Sequence, residues 1–147
     1  MITALIIRPY KKKDLKRCRE IAHTEFNFDD YLSLPNYHFV VVANDEGLVA
    51  GYGVIHIWEW NRSAWIVDIN VDPPLRNRKY GRALVNGLAE IAKSNGCTVL
   101  IDYFPTDYEF AFFYFKLGFK MCGYNSRLFY DEDPEKRMGI IMGLDLV

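Results

Sequence analysis

The stretch from Ala64 to Asn95, AWIVDINVDPPLRNRKYGRALVNGLAEIAKSN, constrains the fold more than any other. Its opening alternates at a period of two: Trp65, Val67, Ile69 and Val71 share one side, which reads as core, and Ile66, Asp68 and Asn70 share the other. After a polar loop the period lengthens. Tyr80, Leu84, Leu88, Ile91 and Ala92 recur at helical spacing, with Ala83 and Gly87 as small neighbours. SNG at 94–96 stops the helix, and Gly96 suits a left-handed cap. TVLIDYF follows as a buried-type strand. A strand, a helix and a second strand in this order predict a parallel pair joined by a crossover.

The flanks extend this α/β reading. TALIIRPY predicts a strand ending at Pro9, and KKDLKRCREIAHTEF a helix that buries Leu15, Cys18, Ile21, Ala22 and Phe26. Asp14 falls in its first turn, where an acid suits the helix dipole. NFDDYLSLPNY reads as irregular chain or a short second helix broken near Pro35. HFVVVAND, LVAGYGVIHIWEW and AWIVDINVD, joined by turns, predict an antiparallel meander. TDYEFAFFYFKLGF predicts a helix ending at Gly118, with Thr106 or Asp107 as its cap. FKMCGYNSRLFY and MGIIMGLDLV close the chain as strands across the polar loop DEDPEKR. With no linker or repeat, 1–147 reads as one domain with a mixed sheet.

Composition matters for what it excludes. The formal net charge is −1, so the chain as a whole does not attract polyanions, and a nucleic-acid partner is not expected. The basic cluster Arg76, Arg78, Lys79 and Arg82 is therefore a local feature. Cys18, Cys97 and Cys122 lack CxxC or Cys/His ligand spacing, so no metal site is expected and free thiols in a reducing cytoplasm are the simplest reading. MITALIIRPY has no signal-peptide character and is too short and polar to span a membrane.

The basic loop raises a chemical question. Free N–H groups and a positive dipole end make a helix start an anion site. Gly81 lets a ligand approach the backbone, Ala83 adds little bulk, and Arg and Lys side chains add charge-assisted bonds. Neither a Walker loop nor a GxGxxG fingerprint is present. On charge alone, a solvated helix start fits the segment equally well.

VDPPLRNRKYGRALV, residues 71–85, resembles the acetyl-CoA motif of the GCN5-related N-acetyltransferases (GNAT). The signature Gln/Arg-x-x-Gly-x-Gly/Ala is matched by Arg78-Lys79-Tyr80-Gly81-Arg82-Ala83. FYFKLGF, residues 113–119, resembles the family's block on its later helix. The resemblance implies a GNAT-like mixed, mostly antiparallel central sheet flanked by helices, with a splayed parallel pair at the cofactor site. It implies an N-acetyltransferase that uses acetyl-CoA and releases CoA.

The same resemblance implies residue roles. Ile69, Asn70 and Val71 would bond the pantetheine amides, and the N–H groups from Lys79 to Ala83, including Tyr80 and Gly81, the pyrophosphate, helped by Arg76, Arg78 and Arg82. Tyr114 occupies the tyrosine position and would be the general acid for the thiolate. Asp107 stands where many members carry a cofactor-binding Asn; an ionised Asp cannot donate, so it serves as a contact or only as a cap.

Asp68 is the one acid on the strand before the loop, and reads equally as general base or structural acceptor, with Glu59, His56 and Asp102 as alternatives and water, with no dedicated base, as another. The acceptor is expected opposite the cofactor; EFNFDDY, residues 25–31, reads either as its wall, with Asp29 and Asp30 drawing a cationic amine among Phe26, Phe28 and Tyr31, or as a solvated loop with its aromatics tucked under it. An amine-bearing small molecule and a peptide or protein both remain open as acceptors, as does a homodimer. So does a second reading, an idle CoA-binding module of the same fold.

Overall fold

The computed structural model describes residues 4–106 and 108–147. Among these residues seven strands form one sheet: β1 (Ile6–Pro9), β2 (Tyr37–Ala43), β3 (Val49–Trp58), β4 (Ser63–Val71), β5 (Val99–Pro105), β6 (Lys120–Asn125) and β7 (Gly139–Asp145). The spatial order is β1-β2-β3-β4-β5-β7-β6. β4 and β5 are parallel and the other neighbours antiparallel. Three helices join them: α1 (Leu15–Ala22), α2 (Tyr80–Ser94) and α3 (Tyr108–Lys116). The element order is the expected one; NFDDYLSLPNY holds a 3-10 helix over Phe28–Ser33.

The sheet separates two cores. On one face α2 and α3 bury Leu84, Leu88, Ala111, Tyr114 and Phe119 against Ile55, Ile66, Leu100 and Met142. Leu84 and Leu88 are wholly buried, each contributing roughly 2 kcal/mol over an exposed position. α2 lies directly on β3 because Gly53 leaves room; a Cβ there would stand 2.8 Å from Leu88 Cδ1. On the other face α1 and the 3-10 helix bury Cys18, Ile21 and Phe28 against Phe39, Val41, Tyr52 and Val54. Asp14 does more than meet a helix dipole. It is buried, and its carboxylate accepts both Arg8 guanidinium nitrogens at 2.8 Å and the Lys11 N–H at 2.8 Å. Burial pushes this carboxyl up, but Arg8 and the Lys11 N–H more than offset it and hold the group below its ordinary range.

Two irregularities in β4 create the site. First, Val54 pairs with Asp68 and Ile55 with Ile66, so Val67 is an extra residue in the strand. The bulge corrects the simple alternation expected from the sequence. Ile66, Ile69 and Val71 face the α2/α3 core, whereas Val67 packs on the opposite core and Asp68 meets Tyr52 there. Second, only Ser63, Ala64 and Trp65 pair with β5, opposite Val99, Leu100 and Ile101. Beyond Trp65 the two parallel strands part.

Candidate active site

From Ile66 to Val71, β4 has β3 on one side and no β5 partner on the other. Ile69, Asn70 and Val71 lie on this open stretch, as expected. Its end is tied down from several directions. The Asp72 N–H donates to Ala50 O at 2.8 Å. Arg17 reaches from α1 to the Asp72 carboxylate at 2.6 Å and to Val49 O at 2.9 Å. Arg76 folds back, donating from Nε to Val71 O at 3.1 Å and from its other guanidinium nitrogen to Asn70 Oδ1 at 3.2 Å. Its side chain is thus engaged within the protein as a strap across the loop.

The loop then turns through two left-handed residues, Asn77 (φ 64°) and Lys79 (φ 69°), and α2 begins at Tyr80. Among the described residues nothing accepts the N–H groups of Lys79, Tyr80, Gly81 and Arg82. The Ala83 N–H, expected in the same cradle, instead closes the first helical turn on Lys79 O at 3.0 Å. Burial of Tyr80 anchors the turn, while Arg78, Lys79 and Arg82 are exposed and in no ion pair among the described residues. Gly81 is also a packing position, since a Cβ would approach the Phe113 ring to 3.2 Å. Asp107 lies outside the described residues.

Where the strands part, β5 presents Asp102, the first residue after the last paired one. With Leu100 and Phe104 it faces α2 and α3. Tyr114 meets it from α3, and their side chains form a hydrogen-bonding contact. The Tyr114 ring is held on three sides: stacked on Phe104 at 5.5 Å and edge-on to Phe113 at 5.1 Å and Phe119 at 4.9 Å. Burial lifts the Asp102 carboxyl to about 7, against the opposing effects of Tyr114 and the Tyr103 N–H. Burial and the neighbouring carboxyl raise the Tyr114 phenol well above its ordinary value. The sequence offers Asp102 as an alternative general base but gives no sign of its meeting with Tyr114.

Asp68 lies across the sheet from this pair. The Tyr52 hydroxyl donates to its Oδ2 at 2.9 Å. Burial pushes the carboxyl up, with the Tyr52 and Ile69 donors opposing. Burial, and after it the charge of Asp68, pushes the Tyr31 phenol up. The surrounding wall is aromatic: Tyr31 stacks on Tyr37 at 5.6 Å, His56 meets Tyr37 at 4.6 Å and Trp58 at 4.5 Å, and Trp65 meets Tyr103 at 5.5 Å. Phe26 contacts Tyr31 at 5.4 Å and is half exposed. Asp29 is already paired, accepting the Tyr10 hydroxyl at 2.8 Å, while Asp30 is exposed and its carboxylate accepts a long 3.3 Å bond from the Asn27 amide. Of the two candidate acids on this segment, Asp29 is turned to Tyr10.

The strand gap, the helix-start donors and Tyr114 all fall within residues 5–119, which match the model of the acetyltransferase (GNAT) family. The chain belongs to this family. Among GNAT relatives, streptothricin acetyltransferase of Streptomyces lavendulae is 29% identical over 107 residues, covering 72% of this chain and 56% of that protein. The chain thus spans little more than half of that relative. The ribosomal-protein-S18-alanine N-acetyltransferase from Escherichia coli shares the fold at a TM-score of 0.77 and 20% identity, covering 97% of this chain and 94% of that one. A Bacillus anthracis structure in complex with acetyl coenzyme A matches at a TM-score of 0.80 and 21% identity, covering 97% and 98%. No helix among the described residues is long and apolar enough to cross a membrane.

Proposed function

We propose that this acetyltransferase moves the acetyl group of acetyl-CoA to a primary amine by direct attack, both substrates being bound together. The observation that carries the reading is the parting of β4 from β5 immediately before a helix start with four open N–H groups. The residues present fit CoA: open strand groups suit pantetheine amides, and free N–H groups flanked by exposed Arg78, Lys79 and Arg82 suit a pyrophosphate. The cradle then consists of the N–H groups from Lys79 to Arg82, and the Arg76 strap fixes the shape of the loop.

When bound, acetyl-CoA supplies a thioester: its C–S bond breaks, a C–N bond forms, the amine loses a proton and the sulfur gains one. Tyr114 is the donor of that proton. Asp68, on the opposite face and raised by burial, attracts the cationic amine and takes its proton as it attacks. Tyr31, Tyr37 and Tyr103 offer π faces to the same cation, and Phe26 and exposed Asp30 line its approach. Fold alone does not fix the acceptor, and the named relatives act on chemically different ones.

Thermal unfolding with and without acetyl-CoA, followed by thiol release over a panel of amines and peptides, tests the reading. A ligand-dependent rise in Tm together with amine-dependent thiol release is the expected result. Absence of any shift at millimolar CoA overturns it. A shift with no turnover across the panel favours the idle binding module instead.

A further inference from the structure

We propose that Asp102 is a positioning residue for Tyr114: in its neutral form it donates to the phenol oxygen and so turns the single phenolic proton toward the parted strands. The inference rests on the reading of Tyr114 as the acid. Hydrogen-bond capacity carries the argument. A phenol has one proton, and an ionised carboxylate only accepts. Beside a carboxylate, Tyr114 therefore directs its proton at Asp102 and has none for sulfur. Beside a neutral carboxyl, the phenol oxygen accepts and its own proton is free.

The geometry leaves little else to move. Three aromatic neighbours fix the Tyr114 ring, and the Tyr103 N–H holds Asp102 Oδ1 at 2.7 Å. Asp102 is 7% exposed and no basic group among the described residues bears on it. The groups that do are Tyr114 from α3, the Tyr103 backbone within β5, and Asp68 from β4, whose charge also disfavours ionisation. A buried carboxyl without a cation favours its neutral form. As the C–S bond breaks, Tyr114 gives its proton to sulfur and Asp102 gives its own to the phenol oxygen. The proton lost by the amine, returned through solvent, restores Asp102, so the cycle balances.

The unliganded protein gives the first readout. The infrared C=O band of a buried neutral carboxyl should be present on the acid side and titrate away near pH 7. It should be missing in Asp102→Asn. In Tyr114→Phe its midpoint should rise, because the phenol is what favours the ionised form. The second readout is kcat against pH. The wild-type rate should fall on the alkaline side with that same midpoint. Asp102→Asn should lose this limb and run roughly tenfold to a hundredfold slower, with Asp102→Glu partly restored and KM for acetyl-CoA unchanged.

If Asp102→Asn does not fold, the midpoint shift and the loss of the alkaline limb in Tyr114→Phe carry the test. A wild-type band that does not titrate, a midpoint unmoved in Tyr114→Phe, or an alkaline limb retained without Asp102 overturns the inference. An unchanged kcat in Tyr114→Phe overturns the acid reading itself, whatever the band does.

Discussion

Asp68 and Asp102 stand on neighbouring strands where the pair opens, yet they face opposite sides of the sheet. Both are raised by burial. Asp68 is anchored by Tyr52 among side chains that reach toward solvent, whereas Asp102 is sealed behind Tyr114. Two acids of one type thus have different prospects: one can meet an incoming amine, and the other can act only through its neighbour. Environment, not residue type, divides the roles proposed for them.

The comparison breaks if the two faces cannot be separated kinetically, and this is the largest effect expected. Tyr114→Phe should lower kcat about a hundredfold and leave acetyl-CoA affinity unchanged. Asp68→Asn should raise the acceptor KM and cost only about tenfold in kcat. Steady-state kinetics varying each substrate in turn decides it; a change in acetyl-CoA KM for either variant joins what the faces divide.

A smaller effect sharpens the cofactor side. Gly81→Val should weaken CoA binding roughly tenfold by calorimetry, because the side chain crowds the open N–H groups. It should also lower Tm, since its Cβ meets the Phe113 ring at 3.2 Å. Unchanged affinity with lowered Tm would make Gly81 a packing position only.

The smallest effect concerns stability. A carboxyl whose pKa is raised on folding keeps its proton in the native state after the unfolded chain has released it. Between the unfolded value of about 4 and the folded value near 7, stability therefore falls as pH rises. The Tm of the unliganded protein should decline across that window. Asp102→Asn should flatten the decline, and Asp68→Asn should flatten it less because Asp68 is less deeply buried. Equal slopes in both variants would erase the difference between the two sites.

The elements and the loop were legible because a change of period is written residue by residue: Leu84 and Leu88 announce α2 as plainly as Ile69 and Val71 announce β4. Tyr114 was legible through FYFKLGF, a local motif. The exchange of faces by Ile66 and Val67 was not, because alternation counts residues and a bulge is a matter of register with another strand. The pairing of Asp29 with Tyr10 and of Asp14 with Arg8 joins residues that local spacing cannot connect. Asp102 gains its meaning only where β4 leaves β5, a point no single-strand pattern marks.

Val67 itself touches none of the proposed chemistry, yet the extra length it adds decides where that chemistry happens. Counted on from Ala64 and Ile66, a straight strand would point Asp68 into the same interior as Asp102. Two close carboxyls there would compete for one proton and titrate as a couple. One inserted residue turns the first acid through the sheet and sets the strand between the two. On the proposed mechanism, a proton is collected on one side and delivered on the other.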